Sequence, residues 1–190
     1  MFKKWNKKEV ITAVICFAVY FALILATELP GFLSPLYWLM FPVLAAFVSA
    51  GPLTCMMNMK KGFGSAAALP LLWFIVNRLM GEIGMSVMWL GIILLIIVAE
   101  LIRYMFGYDS RLGIRWCVPV LGLVPSCVLL PLYFDRAEYF SRANEEMAAD
   151  YVAGLDKYGT IWMFALVTAL CIAASVVSER ISEKIIKIEG

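Results

Sequence analysis

Long apolar runs alternate with short polar stretches along the whole chain. A helix needs about 18 or more apolar residues to cross about 30 Å of hydrocarbon. One apolar stretch, residues 62–102, is too long for a single span, and its polar and glycine residues at Asn77–Gly84 are typical of a turn. With that division, six spans are predicted, at about residues 10–29, 33–59, 63–79, 83–102, 116–134 and 158–177. We therefore predict an all-α integral membrane protein, with residues 1–190 forming a single six-helix transmembrane domain.

Prolines predict where these spans depart from straight helices. The second span is uncharged and long, so it can cross with tilt or be broken at Pro42 and at Gly51–Pro52. The fifth span carries Pro119, Pro125 and Pro131. Proline removes a helical hydrogen bond and clashes with the preceding turn, so we expect the fifth span to be kinked or partly unwound.

Composition and charge placement agree with this division. Of the residues, 63% are hydrophobic and 16% are charged, against about 25% charged in soluble domains. Lys and Arg accumulate on cytoplasmic loops, so their positions indicate an orientation with both termini inside. The basic residues on the inner side are then Lys3, Lys4, Lys7, Lys8, Lys60, Lys61, Arg103, Arg111, Arg115, Arg180, Lys184 and Lys187, and those outside are Arg78, Arg136, Arg142 and Lys157.

We expect the first run to be a span and not a cleaved signal, because it is longer than a signal's apolar region.

The most hydrophilic internal stretch, residues 135–159, lies on the predicted outer side. Asp135 and Glu138 have the spacing of a capping box at a helix start. We predict a short amphipathic outer helix over residues 135–157; the alternative is a solvated acidic linker. The apolar face of this helix would consist of Phe140, Ala143, Met147 and Tyr151.

Several catalytic classes lack their residues in this sequence. The chain has no histidine, which removes the usual general base and the zinc-protease motif. Its cysteines form no CxxC pair, so we expect neither a disulfide framework nor a metal site. An intramembrane protease of the EExxxR type is the enzyme alternative, but the EEMAAD stretch has Asp150 where arginine is required. We expect no catalysis by this chain.

Polar residues near the span ends are candidates for structure or for ligand binding, because ionisable groups are costly in lipid unless paired or facing a cavity. Arg78 and Glu82 could pair one helical turn apart. Alternatively, both could join Asn77 in offering donors and acceptors to a ligand that enters from outside. Glu100 and Arg103, near the inner side, are predicted to form a structural pair.

Aromatic residues are dense near the predicted outer ends of the spans. A belt at the lipid interface explains most of them, but some could line a pocket. Broken spans often mark substrate sites in transporters, and the fifth span ends in PLYFDRAEY, residues 131–139. Aromatic and arginine side chains suit a flat organic molecule with an anionic group, such as haem or a vitamin-like heterocycle. The candidate substrate-binding residues are Trp38, Trp73, Asn77, Arg78, Glu82, Tyr133, Arg136 and Tyr139.

A strip of small side chains lies along the first span, at Ala18, Ala22 and Ala26. Helices associate in lipid through close packing, which small residues permit. The strip is therefore either a docking face for a partner helix or an internal packing face. Related strips occur at Ala46 and Ala50, and at Ala165, Ala169 and Ala173.

Taken in order, these features resemble a known family. They are a basic start, the alanine strip of the first helix, FPVLAAFVSAGPLTCMMNMKKGFG (Phe41–Gly64), and LPLYFDRAEYF (Leu130–Phe140) followed by an acidic outer segment. The chain resembles the MptD-like, or Trep_Strep, group of S components of energy-coupling factor (ECF) transporters. The resemblance covers nearly the whole chain.

The resemblance implies a role in import across the bacterial plasma membrane. S components capture a small-molecule micronutrient from outside, dock on a transmembrane T subunit coupled to two cytoplasmic ATPases, and topple to release the cargo. It implies that Ala18, Ala22 and Ala26 form the docking face. ATP would be used by the partner ATPases, with no cofactor bound by this chain, and its other contacts would be with lipid and not nucleic acid. A stand-alone secondary transporter or structural membrane subunit is the alternative.

Overall fold

The regular structure is entirely helical over residues 6–79 and 86–185, which are the residues that the computed structural model describes. This confirms the all-α class for those ranges. Within these ranges two 3₁₀ segments, Leu29–Leu33 and Val124–Leu129, connect successive α-helices. The α-helices of the described ranges are α1 (Lys7–Glu28), α2 (Pro35–Met59), α3 (Ala68–Leu79), α4 (Ser86–Phe106), α5 (Arg111–Leu121), α6 (Leu130–Phe134), α7 (Arg136–Glu146), α8 (Ala149–Tyr158) and α9 (Ile161–Ile185).

Among the described residues, five helical segments are long and apolar enough to cross a membrane. They correspond to the first, second, fourth, fifth and sixth predicted spans, and they are Lys7–Leu33, Pro35–Met59, Ser86–Phe106, Arg111–Phe134 and Ile161–Ile185. The third predicted span is represented by α3, which is apolar but has 12 residues. At 1.5 Å per residue α3 covers about 18 Å, less than the hydrocarbon thickness.

The chain before α3 is a turn, where the sequence predicted helix from residue 63. Gly64 has φ +86, a left-handed conformation that suits glycine and interrupts a helix. The backbone N–H groups of Ala66 and Ala67 both donate to Glu100 Oε1, each at 3.0 Å. A carboxylate from α4 therefore supplies acceptors at the start of α3, where helical N–H groups lack partners within the helix.

The prolines act differently in the second and fifth spans. α2 continues through Pro42 and Pro52 as one helix, so the breaks considered there do not occur. The fifth span is divided into α5, a 3₁₀ segment and α6, which confirms the predicted partial unwinding. The last span extends beyond its prediction, because α9 remains helical to Ile185.

The hydrophilic segment after α6 forms two helices, α7 and α8, and not one. Met147 and Ala148 are extended and separate them. The predicted capping box is wrong: the Asp135 side chain makes no capping bond, and Glu138 pairs with Arg142 one turn later. Asp135 also ends α6, which holds it at φ −138 and ψ 50, outside the extended conformation that a capping side chain requires.

One end of the helical bundle, here named the basic end, contains the start of α1, the last turn of α2 and the connection from α4 to α5. Glu9 of α1 approaches Lys60 at 3.8 Å. The Arg103 guanidinium is fully buried and donates to the backbone carbonyls of Met57 (3.3 Å), Tyr108 (2.5 Å) and Ser110 (3.2 Å). Arg103 thus joins α2, α4 and the loop before α5.

Glu100 and Arg103 do not bind each other as the sequence predicted. Glu100 accepts from the backbone before α3, and Arg103 donates to carbonyls of α2 and of the α4–α5 loop. Both side chains are buried, and a buried charge needs hydrogen-bond partners. The partners here are backbone N–H and C=O groups near helix ends, which lack partners within their own helices. Both residues therefore have a structural role.

Candidate functional site

The opposite end of the bundle, here named the aromatic end, contains the start of α2, the end of α6 and the helices α7 and α8. Trp38 of α2 donates from Nε1 to the Tyr139 hydroxyl of α7 at 3.2 Å. Both side chains are buried. Burial raises the pKa of Tyr139, an effect opposed in part by the indole N–H of Trp38. This bond holds α7 against the first turns of α2.

Helix α8 is held over the same region. The Tyr151 hydroxyl donates to the Gly31 carbonyl at 2.5 Å. Gly154 packs on Pro35, so closely that a Cβ on Gly154 would lie 2.5 Å from Pro35 Cγ. Together, α7 and α8 cover the aromatic end of α2 through contacts that are far apart in sequence.

Tyr151→Phe is expected to destabilise the protein by about 1–3 kcal/mol, because the Gly31 carbonyl loses its donor. Burial raises the pKa of Tyr151 to about 12, against about 10 in an unfolded chain. The folded protein holds this proton more tightly than the unfolded chain does. The hydroxyl's contribution to the free energy of unfolding is therefore complete below about pH 10 and declines towards pH 12.

Chemical unfolding at several pH values measures this effect, with Tyr158→Phe on the exposed end of α8 as the control. We expect the difference between wild type and Tyr151→Phe to be constant up to about pH 10 and to shrink above it. A difference that grows with alkaline pH would contradict this assignment of the hydroxyl.

The Arg136 guanidinium has its partners within this chain. Its guanidinium donates to Asp156 Oδ1 at 2.5 Å and to the carbonyls of Gly159 (3.4 Å) and Leu132 (3.5 Å). The same group lies 4.8 Å from the Phe140 ring centre. Arg136 therefore ties the α6–α7 junction to the end of α8, a role that the sequence did not predict.

Two aromatic residues at this end keep buried donors without partners. The Tyr133 hydroxyl on α6 and Trp89 Nε1 on α4 are both buried and have no hydrogen-bond partner in the structure. The Tyr133 ring contacts Phe164 of α9 with ring centres 4.8 Å apart. Trp89 meets Phe74 of α3 edge-on, with centres 4.7 Å apart. Buried donors normally find an acceptor, so these two groups are exceptions at this end, as the Tyr20 hydroxyl is within α1.

The remaining sequence-predicted site residues lie on or after α3. Trp73 is buried, and its carbonyl accepts from the Asn77 side chain at 2.8 Å. Arg78 is exposed near the end of the helix. Glu82 lies outside the described residues, and so does its predicted pairing with Arg78.

Sequence reasoning did not place Tyr151 or Trp89 among the candidate site residues. Tyr151 was predicted only as part of an apolar helical face, although tyrosine carries a polar tip that seeks a partner when buried. Trp89 is one of the aromatic residues near the outer span ends that a belt at the lipid interface explains. Its position in α4, between apolar residues, is equally typical of a lipid-facing tryptophan, so only the three-dimensional structure shows that it is 8% exposed.

The alanine strip of α1 faces away from the rest of the bundle. Ala18, Ala22 and Ala26 are all exposed, whereas the buried residues of α1 are Cys16, Tyr20 and Ile24. The two sets are offset by two positions, which is about 200° around a helix. Packing among residues 6–79 and 86–185 therefore does not account for the α1 strip.

The other two strips differ from each other. Ala46 and Ala50 of α2 are fully buried, which is the internal packing considered as an alternative. The α9 strip is exposed, like that of α1, and consists of Ala165, Ala169 and Ala173. Exposure alone thus leaves two lipid-facing strips where a partner helix could pack closely.

Comparison with known proteins gives one result. A family model described as a hypothetical bacterial integral membrane protein (Trep_Strep) matches residues 7–188. No curated protein and no solved structure matches the chain significantly. The match spans nearly the whole chain, and its description agrees with the apolar helices found here.

Proposed function

The chain belongs to the Trep_Strep family of bacterial integral membrane proteins, and from this premise we propose that it is the substrate-capture S component of an ECF-type importer. In this role it binds a small organic micronutrient from outside the cell and delivers it together with a T subunit and two cytoplasmic ATPases. It carries out no catalysis itself. The observation that carries the proposal is the exposed alanine strip of α1, which lies opposite the buried face of that helix.

The proposed orientation puts the basic end in the cytoplasm. Lys60, Lys61 and Arg103 lie at that end, and cytoplasmic loops are enriched in Lys and Arg. The aromatic end, with α7 and α8, then faces outwards, where an imported molecule arrives. Both termini are inside in this arrangement, which has six crossings, the third of them at α3.

The docking argument depends on how helices associate in lipid. Apolar surfaces gain little by leaving hydrocarbon for each other, so close backbone approach supplies the attraction. Ala18, Ala22 and Ala26 allow such an approach along about two turns of α1. α1 is also weakly enclosed, because Cys16, Tyr20 and Ile24 are its only buried residues. A T-subunit helix could therefore pack on α1 without displacing any part of the bundle.

Substrate capture is proposed at the aromatic end. The helices α7 and α8 cover the start of α2 there. The unpartnered indole N–H of Trp89 and the Tyr133 hydroxyl are the hydrogen-bond donors that support the proposal. ATP is used by the partner ATPases, and the chain itself is proposed to need no cofactor, no metal and no nucleic-acid partner.

Affinity purification from the native membrane in mild detergent tests the proposed function. We expect the tagged protein to co-purify with one further membrane protein and with ATPase subunits, and native mass spectrometry to detect a bound small molecule. If a small molecule is bound but no ATPase accompanies the protein, a stand-alone transporter becomes the better assignment. If neither is found, a structural membrane subunit does.

A further inference from the structure

We propose that Glu179 and Glu183 of α9 form a proton-binding site, in which the two carboxyl groups share one proton that is carried by Glu179. We further propose that this proton keeps the last turns of α9 joined to α5. The site goes beyond the proposed function and does not depend on it, because residues of this chain alone form it.

Glu179 has a buried carboxyl group with an oxygen that no donor reaches. The residue is 1% exposed, and it lies on a helix long and apolar enough to cross a membrane. Its Oε1 is buried and has no hydrogen-bond partner among the described residues. A buried carboxylate is very unfavourable unless hydrogen bonds and an opposite charge compensate it, and otherwise the group takes up a proton. Glu179 therefore needs either a donor or a proton.

The neighbour of Glu179 along α9 is a second carboxyl group. Glu183 lies one helical turn further on, within hydrogen-bond reach of Glu179. Arg115 of α5 already binds Glu183, with Nε and Nη2 donating to its two oxygens at 2.9 and 2.8 Å. Carboxylates only accept hydrogen bonds, so two carboxyl groups can bond to each other only when one of them is protonated. Because Arg115 stabilises the charge of Glu183, the proton belongs on Glu179.

The other cations near the pair do not supply the missing donor. Arg180 approaches Glu179, but its Nε is 3.8 Å from Oε2, which is beyond hydrogen-bond distance. The Arg180 side chain is also 56% exposed, where solvent screens its charge. Arg111 and Lys184 are exposed near the ends of α5 and α9. Among the described residues, no cation therefore donates to Glu179 Oε1.

The other segments that pack on α9 add no charge to the site. α2 and the 3₁₀ segment Val124–Leu129 contain no Asp, Glu, Lys or Arg. Tyr37 of α2 lies at the aromatic end, away from the pair. The thiols of these segments and of α5 have other partners, namely Cys55 with Cys16, Cys117 with the Ala99 carbonyl and Cys127 with the Leu123 carbonyl. Protonation is therefore the remaining way to satisfy the pair.

The proton decides how many negative charges α9 presents to α5. When it is bound, Glu183 carries one charge, and the fork of Arg115 satisfies both of its oxygens. When it is lost, two carboxylates one turn apart repel each other, and Arg115 cannot bind both in the same geometry. We expect loss of the proton to weaken the contact between α5 and α9.

Infrared spectroscopy of the purified full-length protein tests the proposal, because a protonated carboxyl group has a C=O stretch apart from the carboxylate and amide bands. A glutamate in an unfolded chain has a pKa of about 4.3, so exposed glutamates are ionised at about pH 6. We expect the wild type to show the band at about pH 6 and to lose it as the pH is raised. Glu179→Gln should lack the band and still fold, because the glutamine amide can donate to Glu183.

Glu183→Gln tests whether the two residues share the proton. In this variant Arg115 loses its carboxylate partner and Glu179 loses its like-charged neighbour, so Glu179 should ionise and the band should disappear. Burial of Glu179 alone would leave the band in place. Glu145→Gln, at an exposed position on α7, is the matched control and should leave the band unchanged.

Unfolding at several pH values gives a second readout. At about pH 6 and above, the unfolded chain has both glutamates ionised, whereas the folded protein holds one more proton. Rising pH therefore favours the unfolded chain. Relative to Glu179→Gln, the folding equilibrium constant of the wild type should fall about ten-fold per pH unit, from about pH 6 until the infrared band is lost.

Three results would overturn the proposal: a wild type without the band at about pH 6, a band that remains in Glu179→Gln, or a band that Glu183→Gln leaves unchanged. The same pH dependence of unfolding in the wild type and in Glu179→Gln would also overturn it. These measurements need no T subunit or ATPase, so their failure is distinct from failure of the proposed function.

Discussion

Leucine at Ala18, Ala22 and Ala26 is expected to separate the protein from the T subunit and ATPases that we propose as its partners, while leaving it folded. The added side chains project from the exposed face of α1, where no residue of the bundle is displaced. A partner helix that approaches this strip would be held away by the larger side chains, and close approach is the main source of helix association in lipid. We expect at least a ten-fold loss of recovered ATPase in the affinity purification.

The α9 strip provides a matched control within the same chain. Leucine at Ala165, Ala169 and Ala173 makes the same change of volume and hydrophobicity on a second exposed helix face. Only the α1 triple variant is expected to lose the ATPases, and both variants should unfold at wild-type temperature. Loss of ATPases from the α9 variant alone would place the docking face on α9 and contradict the assignment to α1.

Arg103→Met is expected to cause the largest loss of stability among single substitutions at the basic end, at least about 3 kcal/mol. The guanidinium is fully buried and satisfies carbonyls of Met57, Tyr108 and Ser110. A buried acceptor that loses its partner costs about 1–3 kcal/mol, and methionine supplies no donor. Unfolding in mild detergent, followed by helical circular dichroism, measures the loss.

Lys61→Met is the control for charge at the same end. Lys61 forms an ion pair with Asp109, both side chains being well exposed, and such pairs contribute about 0–1 kcal/mol. We expect Arg103→Lys to recover only part of the stability, because one ammonium group cannot reproduce the fork of the guanidinium. Equal losses in Arg103→Met and Lys61→Met would show that net charge, and not the carbonyl network, is what matters.

The apolar runs determined the environment and most of the helices of this protein. A chain in lipid must satisfy its backbone hydrogen bonds internally, because no water is present to bond them. A long run of apolar residues therefore forms a helix almost regardless of which segments surround it. Five apolar helical segments in the described ranges follow from this, and so does the unwinding of the fifth span at its prolines. Pro42 and Pro52 do not interrupt α2, where packing against surrounding helices maintains the helix.

Partners of buried polar groups could be found only in the tertiary structure. Sequence spacing suggested a pair between Glu100 and Arg103, yet each binds backbone groups from segments distant along the chain. Arg136 was expected to be available to a ligand, but the fold brings Asp156 to it across 20 residues. These contacts depend on where helices end and meet, which local patterns do not encode.

The alanine strips show the same division between sequence and structure. A four-residue spacing establishes that Ala18, Ala22 and Ala26 share a face of α1, as Ala165, Ala169 and Ala173 do on α9. It does not establish whether another helix covers that face, because helical periodicity describes one helix and burial depends on its neighbours. The sequence by itself thus determined the lipid environment, the helices and the small-residue faces. Only the tertiary structure decided which of these faces stay open and which buried polar groups find a partner within the chain, because both depend on how the helices pack together.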